Sequence, residues 1–477
     1  MRKSAKATIW SVFDRVGNQA ISFLIGIVLA RILSPSDYGI IGLSSIFIAF
    51  SNVFIECGFS NALIRKIDCN QADLSTAFVF NVFMGVLLYF ILYSAAPLIS
   101  DFFDSTLLIN VLRIVGLTLL LNSFCIVQNA VLTTKLDIKP QTVINLCAQI
   151  PSGIIAIILA YYGYGVYALA IQAVGASLIK TILLWVYAKW KPSLIFNKDS
   201  FRYLWKFGFN LIIVHFIGTF FNKIYSFIIG KYVGKTDLGY YSKAESLSSQ
   251  PDSIMTGVIQ KVAVPIFSKY QDNLSLLLEK YRYCIKMIMC MMCFITACLV
   301  TIAHPLIIYI WTSKWETTVS LFQLLLISVL LSPVGTLNLL LLQVLNRTDY
   351  TLKLEFIKKP ICLIVIVLLV RFGLYGIILA AIINSFFGVL INMQSSQRFI
   401  KYSYRMQFVD IFKYLIIGCI SALVGLYSIK VCESLLLQIF WGFSTSSLSY
   451  LILLFLTKDV FFRNTLYSIK ARLKTSK

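Results

Sequence analysis

Histidine is almost missing from this chain, with two in 477 residues, and Asp and Glu together number 20 against 42 Lys and Arg. So little imidazole and carboxylate leaves few candidates for general acid-base work, and no metal or cofactor site is expected. Charge of either sign is scarce as well: 13% of residues, where a soluble globule carries about a quarter. Long polar segments are absent. No interval between apolar runs exceeds about 20 residues, far short of the roughly 50 that an independent domain needs. That speaks against a glycosyltransferase or polymerase with a soluble catalytic domain. The 11 cysteines are scattered through apolar runs and give no disulfide framework. Cys290 and Cys293 make a CxxC, but in a Met-rich apolar run without a nearby His, and they are read as helix packing.

What is present is hydrocarbon. Hydrophobic residues make up 59% of the chain and its mean hydropathy is +0.84, so the bilayer is its solvent. Apolar stretches long enough to cross about 30 Å of hydrocarbon recur about fourteen times. The predicted fold is an all-α integral membrane protein of about 14 transmembrane helices. If the amino terminus is inside, roughly thirty of the 42 cations fall on cytoplasmic loops and ends, and far fewer outside, which predicts both termini in the cytoplasm. The net charge of +22 is therefore assigned to insertion topology and anionic inner-leaflet lipid rather than to nucleic acid. A cleaved signal peptide is not expected, since Asp14 and Arg15 interrupt the first apolar run.

Two resemblances to enzyme motifs fail on inspection. Gly230-Lys231-Tyr232-Val233-Gly234-Lys235-Thr236 has three residues between its glycines, where a P-loop needs four, and reads as a helix end followed by a turn. Asp101 and Asp104 form an acidic pair with no large domain beside it, and read as loop and helix-end charge.

The chain repeats itself at an interval of about 200 residues. Arg31-Ile32-Leu33-Ser34-Pro35-Ser36-Asp37-Tyr38-Gly39 is matched by Lys231-Tyr232-Val233-Gly234-Lys235-Thr236-Asp237-Leu238-Gly239, with cation, Asp and Gly in one register. Two equivalent halves imply a transporter. The predicted division is 1-200 and 201-405, two six-helix bundles related by a pseudo-twofold axis, with 406-477 adding two helices and a basic cytoplasmic tail.

Polar residues within the apolar runs mark the candidate path, because an ionised side chain in mid-membrane costs at least about 2.5–3.5 kcal/mol and needs a partner or a wet cavity. His215, Thr219, Asn222 with Lys223, and Ser226 share one helical face. Glu245, Ser249, Asp252, Thr256 and Gln260 share another, ending near Lys261. A shift of about 200 residues brings Arg15, Gln19 and Ser22 onto the first stripe, and Ser45, Asn52 and Glu56 onto the second. A cavity between the halves is expected, lined by Arg15, Gln19, Asn52, Glu56, Lys180, His215, Thr219, Asn222, Lys223, Asp252, Thr256, Gln260 and Lys261. No catalytic residue is expected. Pro251 and Pro265 are expected to loosen the helix that carries the second stripe.

On the residues Leu29 to Gly39 and Ile228-Ile229-Gly230-Lys231-Tyr232-Val233-Gly234, with Leu238-Gly239-Tyr240-Tyr241-Ser242 and Val264-Pro265-Ile266-Phe267-Ser268 behind them, the chain resembles the multidrug/oligosaccharidyl-lipid/polysaccharide exporter superfamily. Within it, the likeness is to the polysaccharide-transporter branch. The resemblance implies a flippase that passes an undecaprenyl-pyrophosphate-linked oligosaccharide across the bacterial cytoplasmic membrane for O-antigen, capsule or exopolysaccharide synthesis. It implies membrane lipids, and a polysaccharide polymerase with its assembly proteins, as neighbours. Arg15, Lys180 and Lys261 would then meet the anionic headgroup, and Ser, Asn, Gln and Tyr the glycan. One departure stands out: relatives often carry a carboxylate shortly after the Asn of the seventh span, where this chain has Tyr225 beyond Asn222 and Lys223. The rival reading in the superfamily is a multidrug or cation antiporter, which would favour acidic and aromatic cavity groups. Arg15, Arg113, Lys180, Lys223 and Lys261 against Asp14, Glu56, Glu245 and Asp252 lean modestly toward an anionic cargo. A membrane glycosyltransferase or polymerase is the alternative from another class.

Overall fold

The computed structural model describes residues 2–66, 68–134, 138–193 and 195–457. The basic tail from Lys458 onward, with its expected cytoplasmic placement, lies outside them. Every regular element among the described residues is helical. In chain order they are α1 (Arg2–Ile32), α2 (Pro35–Glu56), α3 (Phe59–Arg65), α4 (Gln71–Phe102), α5 (Leu107–Ser123), α6 (Ile126–Thr134), α7 (Ile138–Tyr161), α8 (Val166–Ala188), α9 (Lys198–Tyr232), α10 (Lys235–Lys269), α11 (Leu274–Trp311), α12 (Glu316–Leu330), α13 (Ser332–Val344), α14 (Thr348–Leu369), α15 (Gly373–Ile400), α16 (Tyr404–Ile429) and α17 (Leu435–Leu456). Without water to receive backbone N–H and C=O groups, helices are the way an open chain crosses lipid. Their ends are finished by side chains: Ser34 with Asp37 and Asn70 with Asp73 form capping boxes, and Asn197, Asn273 and Ser403 cap α9, α11 and α16.

Ten helical stretches among the described residues are long and apolar enough to cross a membrane, or eleven with the bent pair α5–α6 counted as one span. The expected fourteen are recovered once the reasons for the difference are named. Thr348–Ile400 counts as one stretch although α14 and α15 are separated by a short turn at Val370–Phe372. The continuously described part of α1, Gly17–Ile32, is apolar but too short to qualify by itself, and α10 is too polar to qualify. The fourth expected span is broken, α5 and α6 meeting at 40°. The tenth is divided at Leu331 ahead of Pro333, into α12 and α13. α10 is one continuous helix through Pro251 and Pro265, so neither proline interrupts it.

The chain forms two compact units, Met1–Ser242 and Lys243–Lys477, and α10 runs from one into the other. In the first unit α1 packs on α7, where Gly153 lets Ile25 approach, and α7 on α8. A second core gathers Phe59, Leu63, Phe78, Val127 and Leu204 from α3, α4, α6 and α9. In the second unit Ile285, Met289, Met292 and Cys293 of α11 form the spine against Leu337 and Leu341 of α13, Tyr414 and Ile417 of α16, and Tyr450 of α17. Cys293 packs against Gly418, and the Cys290 carbonyl accepts a hydrogen bond from the Tyr450 hydroxyl at 2.7 Å.

Candidate functional site

The repeated motif is a pair of helix starts packed against each other. Asp37 is the third residue of α2, and its carboxylate accepts from the Ser34 backbone N–H at 2.9 Å and the Ser34 hydroxyl at 2.7 Å. Asp237 holds the third position of α10, which begins directly after Gly234. Two residues further on in each motif comes the glycine. A Cβ on Gly39 would overlap the Lys235 carbonyl oxygen, and a Cβ on Gly239 would overlap the Pro35 carbonyl oxygen. The contact is reciprocal: each helix start offers a backbone carbonyl to the other's glycine. Any side chain here would force the two apart. Gly42 continues the seam, its Cβ position 3.0 Å from the Ser242 hydroxyl. The motif's cation has its own task in the second copy. Lys231, in the last turn of α9, donates to the Phe102 carbonyl at 2.5 Å, lies 3.4 Å from Asp104 and sits over the Phe102 ring. Asp104 is thus engaged as loop charge.

The intramembrane polar residues fall into separate groups. In the first unit Glu56 at the end of α2 and His215 on α9 are both exposed and within electrostatic reach of each other. Beside them Phe50 and Phe54 of α2 lie 5.4 and 5.7 Å from Phe216. Asn52, Thr219 and Lys223 are half-buried, and Asn222 is exposed. Gln19 is exposed on α1, and Ser22 donates to Gln149 of α7 at 3.3 Å. Arg15 lies in α1, but its side chain is outside the described ones. Lys180 is not grouped with Glu56 and His215. It lies on α8 at the α5–α6 break, near Cys125, whose thiol is 3.1 Å from Thr181. Asp252, Thr256, Gln260 and Lys261 all ride on α10 in the second unit. Asp252 accepts from Ser332 of α13, while Gln260 and Lys261 are exposed.

Three arrangements escaped sequence reasoning. Asp410 on α16, nearly buried, accepts from Arg282 at 2.8 and 3.1 Å, lies 3.2 Å from Lys286 and accepts from the Tyr402 hydroxyl at 2.7 Å. The segment between α8 and α9 is pinned to the first turns of α4: Trp190 donates to Gln71 at 2.7 Å, Gln71 to the Lys191 carbonyl at 2.7 Å, and the Asn197 backbone N–H to Thr76 at 3.0 Å. Lys66 is held by buried Asp73 at 2.6 Å. Each pairs residues far apart in the chain or across a loop, without a local motif. Among the described residues no three His, Cys, Asp or Glu side chains are grouped as a metal would require.

Comparison with known proteins agrees with this reading of the fold. Residues 28–320 match the sequence profile of a family described as polysaccharide biosynthesis protein. The teichuronic acid biosynthesis protein TuaB of Bacillus subtilis is 25% identical over 296 residues, covering 61% of each chain. The succinoglycan biosynthesis transport protein ExoT of Rhizobium meliloti is 23% identical over 267 residues, 55% of this chain and 53% of that one. The matches thus span about half to three-fifths of these relatives. Among solved structures, the inward closed conformation of the lipid II flippase MurJ superposes with a TM-score of 0.76 at 15% identity, over 97% of this chain and 100% of that one. The all-helical fold is shared with it.

Proposed function

The chain belongs to the polysaccharide biosynthesis protein family, and on that premise we propose that it flips a polyprenyl-pyrophosphate-linked oligosaccharide across the bacterial cytoplasmic membrane by alternating access. No covalent bond is made or broken. The observation that carries this reading is the reciprocal seating of Gly39 and Gly239. Two repeated helix starts that meet backbone to backbone form a contact able to close tightly yet held by no covalent link, which suits a gate at the external side. Glu56, His215 and Asn222 are exposed on the apolar helices α2 and α9, and Gln260 and Lys261 on the more polar α10; in mid-membrane such side chains need a wet path or a partner. Hydroxyl-rich sugar and an anionic pyrophosphate need such groups to replace lost hydration. With Arg15, Gln19, Asn52, Lys180, Thr219, Lys223, Asp252 and Thr256 they are proposed to line the path. The polymerase and assembly proteins would receive the unit outside.

In a strain lacking this protein, glycan assembled on the polyprenyl carrier should build up facing the cytoplasm while surface polysaccharide disappears. Intact surface glycan together with raised sensitivity to cationic drugs would replace this reading by the antiporter.

The orientation is tested separately. The excess of cations on one set of loops supports a topology with both termini in the cytoplasm. In a cysteine-free background, Thr106→Cys and Thr236→Cys, at exposed positions, should react with an impermeant maleimide from outside, and Lys198→Cys should not. The opposite pattern overturns the topology.

A further inference from the structure

An aromatic ladder runs from Phe196, just ahead of α9, into that helix and begins among uncompensated cations. Phe196, Phe201, Trp205 and Phe209 stack in sequence at centroid distances of 5.4, 5.7 and 5.8 Å. Phe80 of α4 supports the ladder from one side, 5.3 Å from Phe201 and 5.9 Å from Trp205. Further along α9, Phe216 and Phe220 lean on Phe50 of α2. These rings are packed on one edge only: Trp205, Phe209, Phe216 and Phe220 keep 37–48% of their surface exposed. From Trp205 to Phe220 the exposed stripe runs about 22 Å along the helix.

At its Lys198 end the same helix carries Arg202 and Lys206 one turn apart, and α3 adds Arg65, whose guanidinium lies 5.3 Å from the Phe207 ring. All three are exposed, and none is in an ion pair among the described residues. Neighbouring Lys66 differs, being neutralised by Asp73. The three are kept together by backbone contact: a Cβ on Gly208 would overlap the Cys57 carbonyl oxygen, so α9 presses directly on the turn leading into α3.

We propose that this surface, Arg65, Arg202 and Lys206 with the Trp205–Phe209 stripe, is the docking site at which the polyprenyl pyrophosphate carrier enters from the inner leaflet. The proposal rests on the flippase reading and adds where the carrier first binds. The carrier's pyrophosphate brings at least two negative charges, two as the glycan-linked diester and more as the free monoester, against three unpaired cations, where an ordinary anionic phospholipid brings one. Its prenyl chain needs an apolar surface continuous with that headgroup, and the aromatic stripe supplies it on the same helix. α9 has 35 residues, about 52 Å, so its first turns reach the headgroup layer while Trp205 and Phe209 enter the hydrocarbon.

The test is binding of undecaprenyl pyrophosphate to the full protein in phosphatidylcholine nanodiscs, read by native mass spectrometry. Arg202→Ala/Lys206→Ala should weaken it about tenfold or more, since two charge-assisted contacts are lost. Arg202→Lys/Lys206→Arg, which keeps the charge, should bind within about threefold of wild type. Trp205→Ala/Phe209→Ala should weaken the prenyl pyrophosphate but leave inorganic pyrophosphate binding unchanged. Phosphatidylglycerol, titrated in parallel, should be held equally by wild type and the double alanine variant. Equal loss of phosphatidylglycerol would make this a general lipid patch and overturn the proposal, as would an unchanged affinity for undecaprenyl pyrophosphate. A wild type that binds no prenyl pyrophosphate would instead bring down the flippase reading itself.

Discussion

A disulfide between Gly42→Cys on α2 and Ser242→Cys on α10 should stop glycan export, and reduction should restore it. The Cβ position of Gly42 is 3.0 Å from the Ser242 hydroxyl, close enough for two cysteines to bridge with little backbone movement. Alternating access requires the two helix starts to part. A covalent link holds one state whatever the cargo's affinity for the other, so export should fall to background, a loss of well over about tenfold. Gly39→Ala approaches the same contact from the other direction. Its added methyl overlaps the Lys235 carbonyl oxygen, so the closed arrangement is disfavoured and export drops while the protein still reaches the membrane. Both variants belong in a cysteine-free background, given the 11 native cysteines. A cross-linked protein that exports at the reduced protein's rate would remove the gate.

The periodicities that carried the fold were local, and local features were legible. Runs of apolar residues gave the spans, and the register of Asp37 with Asp237 and Gly39 with Gly239 marked two equivalent helix starts before their contact was visible. The break between α5 and α6 was not legible, because Leu121-Asn122-Ser123-Phe124-Cys125 contains neither proline nor glycine. It exists because α8, some 60 residues away, receives the freed carbonyls: Thr181 donates to Leu121 at 3.2 Å and Trp185 to Phe124 at 3.1 Å. The same division holds at the candidate path. Thr219 and Asn222 could be placed on one face from spacing alone, whereas the approach of His215 to Glu56 depends on how α9 crosses α2. Lys286, Lys358 and Lys359 stand well inside α11 and α14. Glu355 of α14 lies beside Lys358 and 3.4 Å from Lys359, an internal neutralisation that hydropathy does not report.

Removing the carboxylate of Asp410 should destabilise the second unit strongly, because it is a nearly buried charge with three partners. Asp410 retains 5% of its side-chain exposure and holds Arg282, Lys286 and the Tyr402 hydroxyl at once. Through it α16 is fastened to α11, the helix whose Met289, Met292 and Cys293 form the spine of that core. Asp410→Ala leaves two cations and a buried hydroxyl without their acceptor. Breaking a buried pair in this way costs about 3–5 kcal/mol, and the lower end applies because Arg282 and Lys286 remain about a third exposed. Asp410→Asn keeps one acceptor oxygen for Arg282 and should lose less. Thermal unfolding in detergent should therefore rank wild type above Asn and Asn above Ala. The charge argument also makes a prediction that a packing argument does not. Combining Asp410→Ala with Arg282→Met and Lys286→Met removes the orphaned cations together with their partner and should recover much of the loss. If the triple variant unfolds as early as Asp410→Ala alone, the cluster holds α16 by shape rather than by charge.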